Sequence, residues 1–559
     1  MHASTLAAGP ASPPAPPEAP SAHGHSGTGR GAAAREEAAP ASSPVATAAV
    51  WLVPALVCLS FGLYGLGHRQ PWQDERATWW AASLSWGDLG RLLHNFDIVL
   101  APYYVLIHFW IRAFGDSGAS MRVPSVLAMT AAAGFLALLG RRMMDASVGV
   151  VAGLLFAVLP ITTRYSQEAR PYAFAVLGAV LGTLLLLRVL EAPSTRRWVA
   201  YGVMIPFMGL AHLVTLTVLA AHLVAVLTHA RRGRSRLVPW SISVGVGLLP
   251  VLPVAYLGHT QSAQISWIKT NFATLEDLPV NLFHSAVGAE VVMAVALFGL
   301  LFTWGRYSTY WSGTLLVWAV LPPLLLFAIH SVVDLFLTRY LLFTVPAWSL
   351  LAAAGLCAAV RLVVRNAAGA GWYQLGVGVV AVAAVGLLMA PDMAVVRANP
   401  LPGEPNWDAA AAWVLHQDQP GDGMAFNGTR GERLALRWEY RNSPGAPKDT
   451  FLGATAEATG TFQAHNCPDP EACAAGVDRI WVFSTDPTHK MTSTMPRKEA
   501  ELFWTQFHTV EFKQFADVRV ALMVRDTDGT KPGTKPTTKP GTKAATKPKT
   551  KSKVKAKSK

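Results

Sequence analysis

The chain has 559 residues, of which 52% are hydrophobic and only 14% charged, whereas a soluble domain carries about 25% charged residues. That balance excludes a purely soluble globular protein and fits spanning helices, which need about 20 apolar residues each to cross a hydrocarbon core about 30 Å thick. The formal charge of +13 does not mark a nucleic-acid surface, because Lys531 to Lys559 alone holds 11 Lys and no acid, leaving the rest of the chain near neutral.

The first 45 residues, rich in Pro, Ala, Gly and Ser, cannot bury a core and read as disordered. A secretory signal would place its apolar stretch within about the first 30 residues, so Val50 to Gly67 reads as an uncleaved first span. Next comes Gln70-Pro71-Trp72-Gln73-Asp74-Glu75-Arg76-Ala77-Thr78-Trp79-Trp80, an acidic pair set among aromatics. Indoles favour the headgroup layer and explain themselves there. The carboxylates are either a solvated pair balanced by Arg76 or the start of a site. The apolar run Pro102 to Phe114 contains His108 and Arg112 and is too short to cross, so it is expected to lie along the membrane surface.

Further apolar runs at about 120–140, 147–163, 171–190, 198–211, 213–230, 238–258, 286–304, 312–330, 339–360 and 373–391 bring the expected spans to eleven within a membrane domain of residues 50–391. Basic residues collect at cytoplasmic ends. Arg141 and Arg142, Arg196 and Arg197, the group Arg231 to Arg236, Arg306, and Arg361 with Arg365 fall at alternate loops, which puts the N-terminus in the cytoplasm. The extracytoplasmic side then receives residues 68–119, the ends around Gln167, His212 and Asp334, the loop His259 to Ser285, and everything after Pro391. On that side stands Thr163-Arg164-Tyr165-Ser166-Gln167-Glu168-Ala169-Arg170-Pro171-Tyr172, two Arg flanking a Glu at a membrane boundary. Snorkelling anchors are the plain alternative. Arg339-Tyr340 opens another span on the same side, where an Arg against the charge trend suggests an anionic partner.

Residues 392–526 regain charge and read as an extracytoplasmic α/β or α+β domain, with a helix over Ala409 to His416 and strands at Met424 to Phe426 and Arg479 to Phe483. Cys467 and Cys473 flank a short loop and are expected to pair outside the membrane, two free thiols being the alternative. The Lys-rich tail, residues 527–559, is expected to be extended and disordered and to meet anionic lipids or envelope polymers, not nucleic acid.

Together these features resemble the GT-C membrane glycosyltransferases that use polyprenyl-phosphate sugars, especially the protein mannosyltransferase (glycosyltransferase family 39-like) and aminoarabinose transferase group. The resemblance rests on Asp74-Glu75 after the first span, Ala101-Pro102-Tyr103-Tyr104, Phe114-Gly115 leading to Met121-Arg122-Val123-Pro124-Ser125, and Tyr165 to Tyr172, with weaker support from Arg339-Tyr340. It implies a sugar, mannose by default, passed from a polyprenyl-phosphate donor to a protein, lipid or polysaccharide acceptor with inversion. Asp74 would be the base and Glu75 would orient it or bind sugar hydroxyls. Glu168 would touch sugar or acceptor, and Arg170 and Arg339 would hold the phosphate. Tyr103, Tyr172, Tyr340 and His212 would line the substrate cavity, though a satisfied interfacial His is the commoner case. Two adjacent carboxylates beside an Arg make a poor hard-cation cage, so no metal is expected. The absence of a Gly-rich loop after a strand argues against a nucleotide. A transporter or flippase of lipid-linked saccharides, or a non-catalytic envelope-assembly protein, are the competing readings.

Overall fold

The computed structural model describes residues 44–231, 235–306, 309–364, 370–428, 431–488 and 490–526. The expectations for the N-terminal segment and the Lys-rich tail concern residues outside this set. The first half is helical: α1 (Pro44–Leu63), α2 (Gln73–Ser83), α3 (Trp86–Asn95), α4 (Ala101–Phe114), α5 (Gly118–Met143), α6 (Ala146–Val158), α7 (Pro160–Ser166) and α8 (Tyr172–Glu191). Local chemistry sets their starts. Ser117 caps α5 by accepting from Ser120 N–H at 3.1 Å, and Asp145 caps α6 by accepting from Val148 N–H at 2.9 Å.

Six segments are long and apolar enough to cross a membrane, namely Gly118–Met143, Tyr172–Glu191, Leu213–Ala230, Trp311–Ala328, Thr338–Val363 and Gly371–Leu388, and two bent pairs raise the number to eight. The expected eleven are therefore not reached among the described residues. The runs at 50–67 and 286–304 yield apolar helices only over Thr47–Leu63 and Ala286–Leu301, and the run at 198–211 a helix of 17 residues. The run at 147–163 bends by 65° between α6 and α7, where Pro160 follows Leu159 and removes a backbone donor.

The helices pack closely where side chains are absent. A Cβ on Gly299 would lie 2.0 Å from the Leu351 carbonyl oxygen, and one on Gly355 would lie 2.2 Å from that of Val295, so Gly alone permits this crossing. One end of the bundle gathers Arg142 paired with Glu191 at 2.5 Å and Arg361 paired with Asp145. Because α5 runs from Arg122 to Arg141 and Arg142, the opposite end holds Arg122 and, with it, the first loop.

The C-terminal domain has one five-stranded sheet in the order β2 (Lys448–Asp449), β1 (Gly423–Asn427), β5 (Arg479–Ser484), β7 (Val518–Arg525) and β6 (Phe507–Phe515). β2, β1 and β5 are parallel, and β7 and β6 add antiparallel. Alternation along β5 fills both faces. Trp481 and Phe483 meet the helices Trp407–Leu415 and Glu432–Glu439, and Ile480 and Val482 meet the helix Arg497–Gln506. A hairpin of β3 (Leu452–Ala454) and β4 (His465–Asn466) lies apart from the sheet, and Cys467 is joined to Cys473 in a disulfide.

The domain docks on α2 and the loop before it. Gln70 donates to the Pro405 carbonyl at 2.7 Å and accepts from the Trp407 and Asp408 N–H groups at 3.0 and 3.2 Å. Trp79 stands edge-on to Trp438 at 5.1 Å. The first loop and the domain thus occupy the same end of the bundle.

Candidate active site

The acidic pair divides into two roles at its first turn. Glu75, wholly buried, accepts from Arg122 Nε at 2.7 Å and Nη2 at 2.8 Å, from Ala169 N–H at 3.0 Å and from Trp72 N–H at 3.3 Å. Arg69 adds a charge at 3.7 Å. Arg122 spends its remaining donors on the Leu66, Arg69 and Gln70 carbonyls. Burial alone would raise the Glu75 carboxyl, but Arg122 and Arg69 outweigh it and hold the group at about 2. Glu75 therefore locks α2 to α5 and to the turn before α8. Both of its oxygens are engaged by these partners.

Asp74, one residue earlier, is partly exposed and faces the other way. Its Oδ2 lies 3.5 Å from Arg339 Nη2 and 3.8 Å from Arg170 Nη2, close enough for attraction and too far for a hydrogen bond. That oxygen and the Nε atoms of both arginines have no hydrogen-bond partner within the protein. Arg170 is aimed by Thr78 Oγ1 at 3.5 Å. The Arg339 guanidinium stacks over Trp72 at 5.4 Å and Trp267 at 5.9 Å.

The surrounding residues form a wall. His212 stacks on Tyr340 at 4.5 Å and Tyr172 at 5.8 Å, and its Nδ1 has no partner. Burial, with the Arg170 and Arg339 charges, pushes His212 down to about 3, so its imidazole is neutral. Glu168 is buried and paired with Arg164. One of its oxygens stays unpartnered, and burial raises its carboxyl. Tyr103 is buried in α4 with its ring 6.0 Å from Phe174. Among the described residues no group of three or more His, Cys, Asp or Glu stands close enough to hold a metal ion.

A family model described as dolichyl-phosphate-mannose-protein mannosyltransferase matches residues 99–257. No curated protein matches the chain by sequence. Among solved structures, apo ArnT from Cupriavidus metallidurans superposes with a TM-score of 0.55 at 15% identity, over 85% of this chain and 98% of that one. ArnT of the same organism bound to undecaprenyl phosphate gives 0.52 at 14% identity, over 86% and 98%. The apo oligosaccharyltransferase of Archaeoglobus fulgidus gives 0.42 at 13% identity, over 78% and 69%. The chain has the GT-C membrane glycosyltransferase fold. The ArnT match is long enough to take in both the bundle and the C-terminal domain, whereas the family model includes Glu168, Arg170 and His212 but stops short of Asp74 on one side and Arg339 on the other.

Two residues of this candidate site escaped sequence reasoning as site residues. Arg122 had a visible signal, a charge near the start of an apolar span. Asp97 had none. It adopts a left-handed conformation at φ 58°, unusual for a residue with a side chain. Its carboxylate accepts from Tyr104 OH at 2.7 Å. Burial raises its pKa, Arg170 opposes the rise, and the Asp74 charge adds to it. Asp97 is a second carboxylate facing the Asp74 cluster.

Proposed function

We propose that this chain is the transferase its fold suggests, moving a sugar from a polyprenyl-phosphate donor to an extracytoplasmic acceptor, with Asp74 as general base. The observation that carries the reading is Asp74 Oδ2 set between two arginines at 3.5 and 3.8 Å without a hydrogen bond to either. Such an arrangement suits a donor whose phosphate takes the guanidinium groups and an acceptor hydroxyl that takes the carboxylate.

In the reaction the acceptor O–H proton passes to Asp74 as the oxygen bonds to the anomeric carbon. The bond from that carbon to the phosphate oxygen breaks with its electron pair leaving on phosphate. Arg170 and Arg339 stabilise that charge by bidentate contact. Attack from the face opposite the phosphate gives inversion. Tyr172, Tyr340, Tyr103 and His212 would enclose the sugar, Glu168 would meet a hydroxyl with its unpartnered oxygen, and no metal is needed. Mannose is the default sugar, supported by the description of the matching family model, and the polyprenyl phosphate by the lipid named for one ArnT structure. The Lys-rich tail would associate with anionic envelope material.

The test is transfer from polyprenyl-phosphate mannose by purified protein. Asp74→Asn should lose about 10²–10⁴-fold in rate while expression and membrane insertion match wild type. Transfer near the wild-type rate would refute Asp74 as the base.

A further inference from the structure

Arg339 is held in place by a different kind of contact from Arg122. Arg122 spends its donors on Glu75 and on three backbone carbonyls. The Arg339 Nε has no hydrogen-bond partner, and Asp74, the one carboxylate within 4 Å of its guanidinium among the described residues, stands at 3.5 Å. Aromatic rings hold it instead. Its Cζ lies 5.4 Å from the centre of the Trp72 ring and 5.9 Å from those of Trp267 and Tyr340. A ring face attracts the cation through its quadrupole and takes none of its N–H donors, which stay free in the guanidinium plane for a bidentate anion.

Trp72 and Tyr340 are near neighbours of Asp74 and Arg339 in the chain. Trp267 comes from elsewhere, the segment between His259 and Ser285, and that segment is tied to the first loop. Gln261 accepts from Ile98 N–H at 3.0 Å and donates to the Leu93 and His94 carbonyls at 2.9 and 3.1 Å. Gln264 accepts from Asp97 N–H at 3.2 Å and donates to Gln261 at 3.2 Å. The two glutamines thus brace the turn at Asp97, whose left-handed backbone at φ 58° is costly for a residue with a side chain. Trp267 follows three residues after Gln264. Its side chain reaches Arg339 although the residue is 58% exposed, so core packing does not account for its place.

We propose that Trp267 is a positioning residue for the donor phosphate. Anchored through Gln261 and Gln264 to the Asp97 turn, it holds the face of Arg339 and leaves the N–H edge of that guanidinium free for phosphate oxygens. A hydrogen-bonding partner in its place would compete with the phosphate for the same donors. The assignment rests on the reading of Arg339 as a phosphate holder.

The experiment measures binding of farnesyl phosphate, with farnesol as the uncharged control, to full-length protein in lipid nanodiscs. Trp267→Leu should weaken farnesyl phosphate about twofold to fivefold, the worth of an exposed cation–π contact, and leave farnesol unchanged. Trp267→Phe, which keeps a ring, should stay nearer to wild type. Beside Arg339→Ala, Trp267→Leu should add nothing, because the contact it removes is already gone. Gln261→Ala should weaken farnesyl phosphate as well, with thermal unfolding confirming that each variant folds. Wild-type affinity in Trp267→Leu or in Gln261→Ala, an equal loss for farnesyl phosphate and farnesol, or an undiminished loss beside Arg339→Ala would each overturn the proposal and leave the phosphate reading of Arg339 standing. Farnesyl phosphate binding unchanged in Arg339→Ala would sink that reading and this inference with it.

Discussion

Arg339 and Glu75 serve the same small volume by different physics. Arg339 is aimed over Trp72 and Trp267 and touches Asp74 only loosely. Arg339→Ala should therefore weaken donor-lipid binding about tenfold or more, the worth of a charge-assisted contact, and leave the KM for acceptor unchanged. An equal loss for both substrates would make the residue structural. Glu75 is the reverse case, buried and saturated. Glu75→Gln leaves the Arg122 guanidinium buried without its counter-charge, which costs about 3–5 kcal/mol. It should lower the melting temperature in detergent before any effect on chemistry is read, and an unchanged melting temperature would show that the clamp carries no stability.

Among the elements, the helix Arg497–Gln506 carries a titration that its exposed residues conceal. Glu499 is buried at 2% exposure and bonded by Asn466 at 2.8 Å, and burial raises its carboxyl from 4.5 to about 7. The folded state then holds a proton that the unfolded chain has lost. Stability from this group is present below about pH 4.5 and falls as pH rises towards 7. Glu499→Gln, which cannot ionise, should flatten that decline in unfolding temperature for the full chain, and a decline as steep as wild type would show that Glu499 does not cause it. The neighbouring elements show what pattern can and cannot convey. The strand expected at Arg479 to Phe483 and the helix at Ala409 to His416 form within a residue or two, because alternation and capping are local. β2 has two residues and leaves no such trace.

For the whole molecule, the first loop and the C-terminal domain lie together through Gln70 and Trp79, while Arg142 and Arg361 gather at the other end. Single cysteines placed at exposed Gly87 and at exposed Trp504, in a chain whose other cysteines are controlled for, should react together with an impermeant thiol reagent added outside intact cells. A cysteine at Arg142 should react only after permeabilisation. Labelling of the first two from opposite sides would overturn the shared-face arrangement and the topology built on basic loops. The three runs that separate eleven expected spans from eight, at 50–67, 198–211 and 286–304, are present as shorter apolar helices among the described residues.

The sequence by itself determined the membrane character and a terminal domain containing a sheet, and it offered Asp74, Glu168, Arg170 and Arg339 as candidates because they are polar residues where apolar ones are expected. Hydrophobic burial and charge desolvation act on residue type and run length, both of which are written linearly. Only the tertiary structure separated the surroundings of the two adjacent acids. Asp74 and Glu75 are adjacent and chemically alike, yet the 100° turn between neighbouring helical residues sends one into Arg122, 47 positions away, and the other towards Arg170 and Arg339. The surroundings of Asp97 depend likewise on contacts between distant segments, which no local pattern encodes.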